Sequence, residues 1–165
     1  ALPAGAGGPQ AEAALSFDTP PAIADLLVPV QGVAPDRLQD TWGDARSAGR
    51  THQAIDIPAE RGTPVLAADS GRVMKFFDSD RGGTTIYTTD STGDYVLYYA
   101  HLDRRADGLT EGDRVAAGQV IGYVGSTGNA AEDAPHLHFE VNIAPDDGSW
   151  YGGTPVNPYD VLTRD

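Results

Sequence analysis

Short apolar runs separated by turn residues dominate the chain after residue 23. They are bounded by Gly, Asp, Ser and Asn at a spacing of about ten residues, which is typical of an all-β domain. No segment repeats apolar residues at i, i+3, i+4 and i+7 over three turns, so long helices are not expected. The tail NPYDVLTRD has room for one short helical turn. The runs are PVLAADSGRVMKFF, TTIYTTD, DYVLYYAHL, DRVAAGQVIGYVG and HLHFEVN.

The first 22 residues have a different texture. They read ALPAGAGGPQAEAALSFDTPPA, which is rich in Ala, Gly and Pro and contains no basic residue. Small side chains bury little surface, and Pro and Gly interrupt periodic structure. We therefore predict a flexible linker or tail over residues 1–22 and one folded domain over residues 23–165, a division that suits a chain of 165 residues.

Composition removes several classes of function. The chain has 24 acidic and 11 basic residues and a net charge of -13, so no nucleic-acid partner is expected. No apolar run approaches the roughly 20 residues that a transmembrane helix needs, so no membrane span is expected. The chain has no Cys, which excludes disulfides, thiolate metal sites and a Cys nucleophile. Any metal ion must be held by imidazole and carboxylate groups.

The four histidines lie in three short motifs. His52 and Asp56 are four residues apart, about 13 Å in an extended strand, so the chain must bend between them if they share a metal ion. His136 and His138 alternate along HLHFEVN, which places both on one strand face, about 7 Å apart. His101 lies near the end of the aromatic run YVLYYAHL. By itself it is weak evidence for catalysis, because a single histidine after such a strand is commonly a packed or capping residue.

Taken together, these motifs indicate a catalytic metal site. Two imidazoles, one carboxylate and an open fourth position are the ligands of many catalytic zinc sites. Two further imidazoles can transfer protons or polarise a carbonyl group near neutral pH. Strand geometry does not distinguish which of His136 and His138 contacts the ion. The pattern therefore favours metal-assisted hydrolysis.

The order of the motifs resembles peptidase family M23, the lysostaphin-type zinc endopeptidases that hydrolyse peptidoglycan. The similarity covers about residues 26–162, nearly everything except the tail. The matching segments are RTHQAID at 50–56, RGTPVLAADSGRV at 61–73, YYAHL at 98–102, GDRVAAGQVIGYVGSTGN at 112–129, PHLHFEV at 135–141 and VNPYDVL at 156–162.

The resemblance implies a fold and a set of site residues. The implied fold is mostly β, an antiparallel, sandwich-like sheet scaffold with loops that form a groove over the metal. One zinc ion per chain would be bound by His52, Asp56 and His138. His101 and His136 would lie beside the attacking water and the scissile carbonyl, and which of the two acts as the base stays open.

The implied function is zinc-dependent hydrolysis of peptide bonds in bacterial peptidoglycan, in either stem cross-links or glycine bridges. Such an enzyme would act in the periplasm or outside the cell, tethered through residues 1–22, and the sequence does not identify a regulatory partner. The alternative is a non-catalytic M23-like module that binds the cell wall or regulates another hydrolase. A biotinyl or lipoyl carrier domain is disfavoured, because the single lysine, Lys75, lies outside the hairpin that resembles those domains.

Two departures from the family pattern bear on the site. Ala54 stands where many members have Gly within H-x-x-x-D, and a positive φ there would strain Ala by about 1 kcal/mol or more. The segment NAAEDA replaces a Gly-rich run before PHLHF. Its Glu132 and Asp133 add charge near the expected site, so substrate preference is expected to differ.

Overall fold

The computed structural model describes residues 21–23, 25–46 and 49–164. Within this part, strands dominate and pair antiparallel, which confirms the mostly-β expectation. The linker prediction for residues 1–22 lies outside the described residues apart from residues 21 and 22. The strands are β1 (Ile55–Pro58), β2 (Pro64–Leu66), β3 (Gly71–Lys75), β4 (Asp78–Ser79), β5 (Gly83–Thr89), β6 (Tyr95–Arg105), β7 (Arg114–Val115), β8 (Val120–Val124), β9 (His136–Ile143) and β10 (Thr154–Val156), followed by helix α1 (Pro158–Thr163).

The strands form one connected sheet with the order β1-β9-β6-β5-β3-β7. Strand β10 pairs with the second half of β9, beyond the part that pairs with β1. Strand β8 joins β2 to the second half of β6, and β4 pairs with the start of β5. The eleven-residue β6 is the centre of the sheet, because β5 and β9 pair with its first part and β8 pairs with its second part.

The register across β1, β9 and β6 separates a buried face from a polar face. Ile55, Phe139 and Tyr99 lie in one cross-strand row, and all three are fully buried. The next row contains Asp56, His138 and Ala100. Because side chains alternate along a strand, the two rows face opposite sides of the sheet. Packing of the apolar row thus fixes where the polar row lies.

A β-bulge changes the alternation near the middle of β6. The pairs Thr84–Leu102 and Ile86–Tyr99 span two steps along β5 but three along β6, so β6 contains one extra residue there. His101 lies within the bulge and has a φ of 63°. Among the described residues it is the only non-glycine residue with a positive φ. An inserted residue reverses the phase of the side chains that follow it.

The C-terminal segment closes the domain with the short helical turn expected from NPYDVLTRD. Helix α1 has six residues and begins with Asn157 as its N-cap, whose side chain accepts a hydrogen bond from the Tyr159 backbone N–H. Pro158 occupies the first helical position, where its missing N–H costs nothing. Leu162 packs into the core. None of the helices in the described part of the chain is long and apolar enough to cross a bilayer.

Two glycines provide a matched test of packing at the start of β5. Gly83 and Gly93 have φ values of 71° and 82°, so replacement by Ala strains both backbones alike. A Cβ at Gly83 would lie 2.5 Å from the Thr127 carbonyl carbon, whereas a Cβ at Gly93 meets nothing within 4 Å. We expect Gly83→Ala to lower the free energy of unfolding by about 1–3 kcal/mol more than Gly93→Ala, as measured by urea denaturation. Equal losses would contradict this packing.

Candidate active site

His52, Asp56 and His138 converge on one point at the edge of the sheet. The Asp56 Oδ1 atom lies 3.1 Å from His52 Nε2 and 3.3 Å from His138 Nδ1. The two ring nitrogens are 3.3 Å apart. Asp56 and His138 face each other across β1 and β9, whereas His52 reaches the site from the loop before β1.

The chain bends between His52 and Asp56, as their shared site requires. The His52 backbone pairs with the preceding loop, since its N–H donates to the Asp44 carbonyl over 2.8 Å. A bend follows at Ala54, and β1 begins at Ile55. Ala54 is fully buried, and its φ is not positive. The strain considered for Ala in place of Gly therefore does not arise.

His52 and His138 each have one ring nitrogen that faces Asp56 and one that faces away from it. The hydrogen bond of the nitrogen that faces away determines whether the other one carries a lone pair. His52 Nδ1 lies 2.8 Å from the Thr41 carbonyl oxygen, an acceptor only, so this nitrogen carries the proton. His138 Nε2 lies 2.9 Å from Glu140 Oε2 and donates to that carboxylate. The lone pairs of His52 Nε2 and His138 Nδ1 consequently point towards Asp56.

This donor set fits a small divalent cation. In a tetrahedral zinc site, bonds of about 2.0–2.1 Å place neighbouring ligand atoms about 3.3 Å apart. The three observed separations, 3.1, 3.3 and 3.3 Å, match that spacing. Asp56 Oδ1 is buried and has no hydrogen-bond partner among the described residues. Three unprotonated donor atoms facing one another require a positive charge between them.

The pKa values of the cluster express the same requirement. Burial raises the pKa of Asp56, but the imidazoles of His138 and His52 outweigh burial and hold it well below its usual range. Burial lowers the pKa of His138, but the carboxylates of Asp56 and Glu140 outweigh it and raise the pKa to about 9. The site therefore attracts a positive charge, which either a proton or a metal ion can supply.

Two residues before His52 hold the cluster in place, and sequence reasoning missed both. The Thr41 hydroxyl accepts the Asp56 backbone N–H over 3.0 Å, while its carbonyl holds His52. Arg46 Nη2 donates to Asp56 Oδ2 over 2.8 Å, which leaves Oδ1 as the oxygen that faces the histidines. No local motif marks either residue, because each acts only through a contact formed by folding.

His101 and His136 lie next to this cluster with their rings 5.0 Å apart. His101 Nδ1 lies 2.8 Å from the Thr127 carbonyl, and His136 Nδ1 lies 3.0 Å from the Ala134 carbonyl. Both Nδ1 atoms are thus donors, and in the neutral form of either ring the lone pair is on Nε2. His136 Nε2 is 3.7 Å from Asp56 Oδ1. The structure brings together all five residues singled out in the sequence.

A groove of about 1110 Å³ contains these side chains. Tyr87 and Tyr98 line one side with their rings 4.5 Å apart, and Tyr151 is exposed at the rim. Glu132 and Asp133 are both exposed, and neither belongs to the described residues that line the groove. The charge of the NAAEDA segment therefore points to solvent rather than into the groove.

The comparison with known families agrees with this geometry. The model of Peptidase family M23 matches residues 50–158, about two thirds of the chain. The chain belongs to peptidase family M23. The M23 match begins after Thr41 and Arg46, so two residues that contact the His52 and Asp56 side chains lie outside it.

Relatives and solved structures of M23 proteins cover most of the domain. The chain is 41% identical over 108 residues to the L-Ala--D-Glu endopeptidase of Bacillus subtilis, which is 61% of this chain and 33% of the relative. It is 40% identical over 147 residues to the DD-carboxypeptidase/endopeptidase Mpg of Neisseria meningitidis, 88% of this chain and 29% of the relative. The chain thus spans about a third or less of these curated relatives.

Among solved structures, the chain is similar to the catalytic domain of the antimicrobial peptidase lysostaphin from Staphylococcus simulans. The TM-score is 0.66 at 30% identity, and the match covers 79% of this chain and 96% of that one. Helicobacter pylori Csd3 also has a TM-score of 0.66, at 29% identity, covering 87% of this chain and 36% of Csd3. The M23 fold of the chain is therefore shared with a catalytic domain of known structure.

The environment of His101 predicts its protonation state. Burial is the largest cause that lowers the pKa of His101, from 6.5 to about 4. We expect two-bond ¹H–¹⁵N spectra to show a neutral ring with a protonated Nδ1 down to about pH 5. Because the unfolded chain takes up this proton near 6.5, acid between those two pKa values destabilises the fold. Titration of His101 at its ordinary pKa would contradict the burial.

Proposed function

We propose that this chain is a zinc-dependent endopeptidase that hydrolyses peptide bonds in bacterial peptidoglycan. One observation carries the proposal: three possible metal-ligand atoms converge at the edge of a groove, beside two further imidazoles. Membership of family M23 supports it. In this proposal His52, Asp56 and His138 bind the ion, and His101 and His136 assist the reaction.

The chain's own groups have distinct tasks. When bound, zinc supplies Lewis-acid polarisation of the peptide carbonyl and lowers the pKa of water towards neutrality. In its neutral form, either His101 or His136 can accept a proton from water at Nε2 and return it to the leaving amine. In its protonated state, either ring can donate a hydrogen bond to the carbonyl oxygen as negative charge develops there. Thr41, Arg46 and Glu140 position the ligands.

The names of the relatives support a cell-wall substrate, but they differ in the peptide bond that is cleaved. One is an L-Ala--D-Glu endopeptidase, another a glycyl-glycine endopeptidase of Staphylococcus capitis, and a third a peptidoglycan DD-endopeptidase of Vibrio cholerae. A peptidoglycan substrate would require action in the periplasm or outside the cell. A tethering role for residues 1–22 stays a prediction.

Zinc content distinguishes ligands from assisting residues. We expect the purified wild type to contain about one zinc ion per chain by elemental analysis and to release peptides from peptidoglycan. His138→Ala is expected to lose both the zinc and the hydrolysis. His101→Ala is expected to keep the zinc and lose hydrolysis by about a hundredfold or more, because it removes only a proton-transfer group.

The same measurements test the alternative of a non-catalytic cell-wall module. A folded wild type that takes up no zinc from excess Zn²⁺ would overturn the peptidase proposal. Stoichiometric zinc without hydrolysis, together with retained binding to peptidoglycan, would favour the non-catalytic module.

Glu140 is expected to strengthen metal binding through His138. Glu140→Gln keeps an oxygen that can accept a hydrogen bond from His138 Nε2–H. It removes the negative charge that makes the His138 ring more basic. We expect the Kd for Zn²⁺ to rise about tenfold in chelator competition. Glu60→Gln is the matched control, because this exposed carboxylate undergoes the same charge change outside the groove. A Kd unchanged in Glu140→Gln would show that Glu140 does not tune the site.

A further inference from the structure

The groove has a charge opposite to that of the rest of the protein. The chain as a whole has 24 acidic and 11 basic residues. Among the described residues that line the groove, three are arginines, Arg46, Arg50 and Arg81, and only Asp56 and Glu140 are carboxylates. A cationic groove in a strongly acidic protein favours ligands of negative charge, because the surrounding surface repels them and the groove does not.

Both groove carboxylates are already engaged at the cluster. Asp56 faces His52 and His138 and accepts a hydrogen bond from Arg46. Glu140 accepts a hydrogen bond from His138 Nε2–H. Neither contacts Arg81. A divalent cation at the cluster would add further positive charge to the same groove. The negative charge that would balance Arg81 is therefore absent from the described groove lining.

The backbone of Arg81 is held in place at this groove, and its side chain is exposed. Its carbonyl accepts the Asn129 backbone N–H over 2.9 Å, and the carbonyl of the adjoining Gly82 accepts the His101 N–H over 2.8 Å. Burial raises the pKa of Tyr98 and the charge of Arg81 opposes that rise, so the guanidinium is within electrostatic reach of the Tyr98 hydroxyl. The Tyr98 ring lies 5.9 Å from the His138 ring.

The side chain of Arg81 makes no ion pair within residues 21–23, 25–46 and 49–164. The other arginines of the described surface are of two kinds, since Arg37, Arg72 and Arg114 also make no ion pair but lie outside the groove. Four of them pair with aspartates: Arg61 with Asp103, Arg104 with Asp107, Arg105 with Asp78 and Arg164 with Asp25. In a chain with more than two acidic residues for each basic one, the groove thus leaves its guanidinium available for a ligand.

We propose that Arg81 forms a carboxylate subsite of the groove and selects peptides that carry free carboxylates. This inference rests on the proposed function and names the substrate class within it. Stem peptides of peptidoglycan carry free carboxylates, whereas glycine bridges carry none along their length. A guanidinium binds a carboxylate through paired N–H donors and gains no such contact from a bare glycine backbone. The groove therefore favours stem cross-links over glycine bridges.

The test compares two synthetic substrates that differ only in charge. The first is a cross-linked dimer of stem peptides with free carboxylates, and the second is the same dimer with those groups converted to carboxamides. Zinc-loaded wild type is expected to cleave the carboxylate form with a kcat/KM about tenfold higher at low salt. This preference is expected to shrink as the salt concentration rises, since the subsite is open to solvent.

Substitution of Arg81 assigns the preference to one residue. Arg81→Gln is expected to reduce the preference to less than about twofold. Arg114→Gln is the matched control, because this exposed arginine of β7 undergoes the same charge change outside the groove. Its preference is expected to equal that of the wild type. A full preference retained in Arg81→Gln, or no preference in the wild type, would overturn the proposal.

Binding separates this inference from the proposed function. If zinc-loaded wild type cleaves neither dimer nor intact peptidoglycan, the endopeptidase proposal fails. Titration calorimetry with the same two dimers then decides about the subsite. About tenfold tighter binding of the carboxylate form, lost in Arg81→Gln and kept in Arg114→Gln, would support it. Equal binding of both forms by the wild type would overturn it.

Discussion

The register between β1, β9 and β6 is the constraint on which the rest of the site depends. It places Asp56 beside His138 and Ala100 on one face, while Ile55, Phe139 and Tyr99 are buried on the other. A slip of one residue would exchange the two faces and bury the polar row, so the apolar row prevents it. The position of the candidate ligands is thus maintained by hydrophobic packing on the opposite side of the sheet.

The orientation of the histidines comes from a different source. Three of the four rings are held by backbone carbonyls of loops, those of Thr41, Thr127 and Ala134, and His138 by Glu140. A carbonyl oxygen accepts hydrogen bonds and never donates them, so each loop also selects the ring tautomer. The sheet therefore sets where the donor atoms lie, and the loops set which of those atoms have lone pairs.

Sequence alone predicted the regular parts of this arrangement. Alternation in HLHFEVN places His136 and His138 on one face, and the distance between His52 and Asp56 in an extended chain requires the bend that occurs at Ala54. His101 is different: simple alternation along YVLYYAHL puts it in phase with Tyr99, on the buried face. The bulge reverses that phase, and a residue with a positive φ has no local signal when it is not glycine. The set of four histidines taken together and the family resemblance indicated His101, whereas nothing indicated Thr41, Arg46 or Arg81, whose roles depend on contacts between distant segments.

The position of Thr41 and Arg46 matters for anyone who would move this domain into another protein. The match to the M23 family model begins at residue 50. Thr41 and Arg46 precede it, yet Thr41 forms hydrogen bonds with the His52 ring and the Asp56 backbone, and Arg46 forms one with the Asp56 carboxylate. Leu26 and Val30, still earlier, pack into the core, and Val30 bridges Val65. A fusion junction placed at residue 50 would therefore transfer the candidate ligands without the residues that hold them, whereas a junction upstream of Pro21 also keeps the contacts of Pro21, Ile23 and Asp25.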